Sequence, residues 1–274
     1  MTPTVGLVDS GIGGIPYFRA ARRALPEARF LYLADTKNFP YGEKSGEEVL
    51  HFISDAVALL AGQEELDAVV VACNTASVLA LDALRARFPF PFVGVVPAVK
   101  PAAASSREGR IGVLATPRTA EGPYLSALIS RFAADAEVVV EAAPNLVEFV
   151  EHELAGASPE RRREVLGDSV RRLVDAEVDQ IVLGCTHFVH LREDILRLSA
   201  EGVGVVDSVE GVTRQLLRVL GRESREKGAG DGASPRRLES SRARLYVTSE
   251  SRAPTQYRSL ARAEGMEYAG EISR

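Results

Sequence analysis

The strongest constraint on how this chain can fold is its set of short, unbroken apolar runs set between longer amphipathic segments. Runs such as "VGLV" (5–8), "AVVVA" (68–72), "IGVL" (111–114) and "IVL" (181–183) show no alternation of apolar and polar residues. A strand wetted on one face alternates, whereas a strand covered by helices on both faces need not. Strands are therefore expected at Val5–Val8, Phe30–Leu33, Ala68–Ala72, Phe92–Val96, Arg110–Leu114, Glu137–Val140, Gln180–Leu183, Val203–Val206 and Arg244–Val247. Helices are expected at Gly46–Ala61, Ser77–Arg87, Gly122–Phe132 and Pro159–Ala176. The last opens with Ser158-Pro159, a cap followed by proline at the first helical position. This order predicts an α/β fold with mainly parallel, doubly wound sheets.

The order also repeats. "VGLVDSGIGG" at 5 resembles "IGVLATPRT" at 111, and "VVVACNT" resembles "IVLGCTH", at offsets of 106 (111 − 5) and 112 (185 − 73). Two related halves are implied. Each half then presents one of the chain's two cysteines, Cys73 and Cys185, at the carboxyl end of a parallel strand. In open α/β sheets that edge is where ligands bind.

Composition narrows the class. With 33 basic and 38 acidic residues the net charge is −5, and no basic tract suggests a nucleic-acid surface. No apolar run reaches the roughly 18 residues of a membrane span. The opening "MTPTVGLVDS" lacks a basic flank and runs straight into a strand pattern, and two cysteines without metal-type spacing suit a reducing compartment. A cytoplasmic protein without nucleic-acid or membrane partners is expected. Residues 221–243, rich in Gly, Ser and charge, read as a mobile loop.

Each thiol is expected at a helix start, where free N–H groups and the helix dipole favour a thiolate and can also hold a carboxylate. A buried free cysteine can equally be a small hydrophobe, but two in matched contexts argue for chemistry. A phosphatase loop needs Arg six positions after Cys. Here Arg192 lies seven after Cys185, and position 79 is Leu79. Zinc on Cys185, His187 and His190 would have irregular spacing and no fourth ligand nearby. A Cys-His hydrolase with His187 as base stays open but leaves the second thiol unexplained.

Inverting a stereocentre, by contrast, needs a base on one face of a carbon and an acid on the other, with the roles exchanging in reverse. A thiol can serve in either role. Pyridoxal phosphate would need a lysine, and the only ones are Lys37, Lys44, Lys100 and Lys227, none ending a strand near a phosphate cradle. No cofactor and no metal are expected. The loop "DSGIGGIP" (9–16), with Asp35 beyond it, half-matches a dinucleotide fingerprint, but Pro16 stands where the third glycine belongs. It reads better as a tight turn bringing Asp9, Ser10 and backbone amides to a small polar ligand.

The motifs "VDSGIGG", "YLADTKNFPYGEKS", "VVACNTAS", "VPAVKPA", "ATPRT", "LVEFVEHE", "VLGCTHFVHL" and "VVDSVEGV" run in order from about residue 5 to 215. Together they resemble the glutamate racemases of the cofactor-independent aspartate/glutamate racemase superfamily. That resemblance implies two similar α/β domains with the site in the cleft between them, residues 1–97 plus 209–274 forming the first and 98–208 the second. It implies glutamate as substrate, a homodimer, and a supply of D-glutamate for bacterial peptidoglycan. Cys73 would take the α-proton of D-glutamate and Cys185 that of L-glutamate. Asp9 and His187 would assist the two thiols, with Asp35 and Glu151 as further carboxylates. Ser10, Tyr41, Gly42, Asn74, Thr75, Thr116, Thr119 and Thr186 match substrate contacts, as do Asp9 and His187. Read on their own, Asp9 and Ser10 also fit a turn, Tyr41-Gly42 a plain turn, Glu151 a solvated helix face and His187 a buried, satisfied histidine. The polar loop 221–243 departs from the family pattern. With no arginine in the cysteine motifs, the substrate is expected to be held by hydroxyls, Asn74 and backbone amides.

Overall fold

The computed structural model describes residues 2–222, 242–252 and 255–273. Most of the expected mobile loop, with Lys227, lies outside the described residues. The chain divides into two compact units, one of residues 1–72, 79–94 and 209–274, the other of 73–78 and 95–208.

The first unit begins with β1 (Thr4–Asp9), α1 (Ile15–Ala24), β2 (Arg29–Ala34), α2 (Gly46–Ala61) and β3 (Ala68–Val71). Helix α3 (Asn74–Arg87) follows Cys73 and leads to β4 (Phe92–Gly94). The second unit continues with α4 (Val99–Ser105), β5 (Arg110–Ala115), α5 (Pro117–Glu121), α6 (Pro123–Phe132), β6 (Glu137–Ala142) and the short α7 (Asn145–Glu148). It closes with α8 (Pro159–Asp175), β7 (Gln180–Leu183), α9 (Arg192–Leu198) and β8 (Gly204–Val206). The chain then returns to the first unit through α10 (Val209–Val219), β9 (Ala243–Val247), α11 (Gln256–Ala263) and β10 (Glu267–Glu271).

All described strand pairs are parallel. The first sheet runs β10-β9-β2-β1-β3-β4 and the second β6-β5-β7-β8. The first four strands of each half therefore share one order, with β1 matching β5 and β3 matching β7. Every residue of β1 and β3 is buried, so both faces are covered, as the unbroken apolar runs require.

The repeat reaches into the packing. Gly6 of β1 and Gly112 of β5 stand at the same offset of 106 (112 − 6). A Cβ on Gly6 would meet the Leu60 side chain of α2 at 3.0 Å, and one on Gly112 would meet Leu173 of α8 at 3.0 Å. In each half a helix leucine thus sits down on the central strand where no side chain intervenes. In the second unit α4 and α6 complete the core, with Val99, Ala102 and Leu125 against Ile111, Val113 and Val182.

Local signals set the helix starts. Ser45 and Glu48 close a capping box at α2, and Ser158 caps α8 ahead of Pro159, accepting from the Arg161 N–H at 3.2 Å. Strand β10 and helix α4 carry no clear sequence pattern. β10 is a half-exposed edge strand whose register against β9 shifts between Tyr268 and Gly270, and α4 is seven residues long.

Edge strand β6 is tied to α8 through Glu141, which accepts from Arg172 Nε at 2.8 Å and Ser169 Oγ at 3.1 Å. The Arg172 guanidinium holds the Glu141 carboxyl below its ordinary value of 4.5. A carboxylate depressed in the folded state adds stability above its unfolded pKa and loses it as pH falls through the folded one. Because Arg172 is half exposed, solvent screens the pair, and Arg172→Met should lower the urea midpoint only slightly at neutral pH. The midpoints of wild type and variant should then converge in acid; a gap that persists unchanged would show that the ion pair contributes nothing.

Candidate functional site

In each sheet the winding reverses at one place. β1 pairs with β2 on one side and β3 on the other, and β5 likewise lies between β6 and β7. The connections leave such a switch point in opposite directions and open a crevice at the strands' carboxyl ends. Asp9 ends β1 and Cys73 comes two residues after Val71 of β3; Thr116 follows β5 and Cys185 comes two residues after Leu183 of β7. Both cysteines are buried and neither is in a disulfide.

At the first switch point Asp9 is fully buried. Its Oδ1 accepts from the Ser10 N–H and its Oδ2 from the Gly14 N–H, each at 2.7 Å. The carboxylate thus folds the "DSGIGG" loop around itself, and the Tyr32 hydroxyl donates to the Gly11 carbonyl at 2.8 Å. Gly14 is required by space: a Cβ there would stand 2.8 Å from both Ala72 Cβ and Tyr32 Oη. Asp35 directly follows β2 and donates its N–H to the Asp9 carbonyl at 2.8 Å. Its buried carboxylate accepts from Tyr41 Oη and Thr248 Oγ1, each at 2.6 Å, and Asn38 Nδ2 lies 3.0 and 3.1 Å from its two oxygens. Tyr41 is wholly buried, its hydroxyl committed to Asp35, and Gly42 beside it has open space where a Cβ would lie. Thr248 carries no sequence signal, because nothing in "YVTSES" (246–251) reveals which strand it will pair with, whereas Asn38 falls inside the motif "YLADTKNFPYGEKS".

The chain after Cys185 is built differently from the chain after Cys73. Helix α3 starts on the residue after Cys73, three residues earlier than expected, with the Ser77 N–H bonded to the Cys73 carbonyl at 2.9 Å. After Cys185 comes a 3-10 turn, His187–Leu191, and only then the seven-residue α9. The expectation of a full helix behind each thiol therefore holds for Cys73 and needs correction for Cys185. Across from that turn, α7 runs into a π-helical turn, Phe149–Glu153, which carries Glu151. Such turns insert one residue and re-aim their side chains. Glu151 is buried rather than on a solvated face, and its Oε2 lies 3.0 Å from His187 Nε2, both residues 3% exposed. Thr116 caps α5, its hydroxyl 3.1 Å from that of Thr119, so local capping accounts for this pair. Ser10, Thr75 and Thr186 are buried.

Asn74 stands apart. It is 4% exposed, yet neither its amide nitrogen nor its amide oxygen has a hydrogen-bond partner among the described residues. A buried unpaired amide costs about 1–3 kcal/mol, so folding alone gives no reason for it. Among the described residues, no three His, Cys, Asp or Glu side chains form a metal-holding group, and no helix is long and apolar enough to cross a membrane. Lys37 and Lys100 are exposed and Lys44 half-buried. If Asn74 is kept for a ligand, Asn74→Leu should raise the stability of the ligand-free protein by about 1 kcal/mol, or about 2–4 °C in Tm. A lowered melting temperature in calorimetry would show the amide to be structural.

Residues 17–216 match the Asp/Glu/hydantoin racemase family. A glutamate racemase from Proteus mirabilis is 40% identical over 234 residues, covering 83% of this chain and 79% of that protein. The crystal structure of Escherichia coli glutamate racemase, in complex with L-glutamate and the activator UDP-MurNAc-Ala, superposes with a TM-score of 0.86. It is 33% identical and covers 100% of this chain and 99% of its own. A glutamate racemase isoform from Bacillus anthracis gives 0.79 at 27% identity, covering 99% and 97%. The residues that match the family model begin just after the "DSGIGG" loop and include both thiols, and on them the chain belongs to the Asp/Glu/hydantoin racemase family.

Proposed function

We propose that the chain is a glutamate racemase interconverting L- and D-glutamate by two-thiol proton transfer at Cα. The observation that carries this reading is the pairing of the thiols: each follows the equivalent strand of two sheets with the same order, at the switch point of each. A hydrolase or a single-nucleophile enzyme gives no reason for the second.

In this reading one cysteine is a thiolate and the other a thiol, on opposite faces of the substrate. The thiolate takes the α-proton; the C–H pair stays on Cα and delocalises into the α-carboxylate. The opposite thiol then gives its proton to the other face, forming the new C–H bond with inverted configuration. The thiols end with their protonation states exchanged, so the product is bound by an enzyme set for the reverse reaction. No redox partner or cofactor enters the balance. Cys73 acts on D-glutamate and Cys185 on L-glutamate.

The surrounding residues divide the remaining tasks. Asn74 supplies a buried donor and a buried acceptor, and Ser10, Thr75 and Thr186 supply hydroxyls. Tyr41 contributes through its backbone with Gly42, since its hydroxyl serves Asp35. Asp9 keeps the Ser10 loop closed. Glu151 fixes the ring of His187, two residues after Cys185. With no arginine inside the cysteine motifs, binding energy in this reading is not spent on clamping the ground-state carboxylates. The same reading places the enzyme in the cytoplasm as a homodimer, supplying D-glutamate for peptidoglycan.

Incubation of L-glutamate in heavy water should give an equal mixture of enantiomers, followed by circular dichroism, with deuterium appearing at Cα. Cys73→Ala and Cys185→Ala should each lower the rate by about 10²- to 10⁴-fold. Racemisation by either variant at near wild-type rate, or product without deuterium at Cα, would refute the relay.

A further inference from the structure

We infer that Thr248, just past the carboxyl end of β9, is a positioning residue for the loop bearing Tyr41 and Gly42, acting through Asp35. The inference rests on the reading that this loop meets the substrate. Thr248 lies beyond the residues that match the family, 17–216, and 213 residues from Asp35 in sequence.

The sheet brings the two together. β9 pairs with β2 so that Val247 stands opposite Ala34, and the next residue on each strand is then Thr248 and Asp35. The Thr248 N–H donates to the Ala34 carbonyl at 3.2 Å. Its hydroxyl donates to Asp35 Oδ1 at 2.6 Å and accepts from the Lys37 N–H at 3.0 Å. One residue on, the Ser249 N–H donates to Thr36 Oγ1 at 3.0 Å, and that hydroxyl donates to the Ser249 carbonyl at 2.9 Å. Residues 35–37 are thus stitched to 248–249 through both backbone and side chains.

The chemistry of Asp35 points to the same role. A carboxylate offers about four acceptor positions. Tyr41 and Thr248 take one on each oxygen in short, charge-assisted bonds, and Asn38 spans both oxygens. Little capacity remains for a substrate atom or a mobile proton, so Asp35 acts as a hub rather than an acid or base. What the hub fixes is Tyr41, whose buried ring sets where its own backbone and Gly42 stand. Removing the Thr248 hydroxyl takes a donor from Asp35 Oδ1 and the acceptor from Lys37 N–H together. Both losses fall on this loop.

Thr248→Val keeps the side-chain shape and Thr248→Ser keeps the hydroxyl. In the ligand-free protein, Thr248→Val should speed hydrogen exchange of the amides of 36–39 and 41–44 about tenfold, the scale of one lost bond to a charged group. Exchange in the second unit should stay unchanged. In the racemase assay it should raise KM for glutamate about tenfold with kcat within about twofold and the pH profile unmoved. Thr248→Ser should restore both readouts. Unaltered exchange at 36–44, exchange raised throughout the protein, or a loss confined to kcat with a shifted pH profile would each overturn the inference. A wild-type protein that fails to racemise glutamate sinks the proposed reaction instead, so the two failures are distinguishable.

Discussion

The structure depends on one arrangement used twice: a central parallel strand hydrogen-bonded on both sides to strands that the chain reaches in opposite directions. β1 and β5 hold that place. Because every connection must pass over a face of the sheet, the central strands are sealed, and only the absence of side chains at Gly6 and Gly112 lets the covering helices descend. The same divergence leaves the carboxyl ends of these strands uncovered by their own connections. Polar groups that would be costly elsewhere can collect there.

How each buried polar group is satisfied separates scaffold from site. Asp9 is held by two backbone N–H groups, and Asp35 by Tyr41, Thr248 and Asn38. Glu151 and His187 lie within hydrogen-bond distance of each other. In these cases the fold supplies a partner, and the group's first task is to fix a loop or a ring. Asn74 has no such partner among the described residues, and it adjoins Cys73. Burial without satisfaction is a poor use of an amide unless something arriving later completes it. The contrast makes Asn74 the better candidate for direct substrate contact and Asp35 the weaker one, although their motifs are equally strong in the sequence.

What can be read from the sequence is whatever depends on local pattern. Helix α2 has the expected bounds, Gly46–Ala61, because its capping box and apolar stripe agree. The matched cysteines are legible because strand runs and turn residues precede and follow both. Elements that depend on distant pairing are not. β10 (267–271) reads "EYAGE", half exposed and broken by Gly270 at φ +86°, and only its place beside β9 makes it a strand. Glu151 reads as a helix-surface residue because the sequence "LVEFVEHE" gives no sign of a π-turn that rotates it inward. Thr248 is a common residue at an ordinary strand end, and its role exists only because β9 docks beside β2.

The two halves share a topology but differ in the structure that follows each thiol. Cys73 precedes the fourteen-residue α3, whose leading N–H groups and aligned dipoles lie at the sulfur's end of the helix. Cys185 precedes a 3-10 turn and a seven-residue helix, which offer fewer aligned peptides. A relay between enantiomers runs in both directions, so each thiol must be able both to give and to take the proton. Two residues after Cys185 stands His187, paired with a buried carboxylate that is carried on a π-turn. The first half instead uses its buried carboxylate, Asp9, to close the "DSGIGG" loop. The repeated strand order thus gives sulfur two equivalent positions, and the two differ in the local structure that follows them.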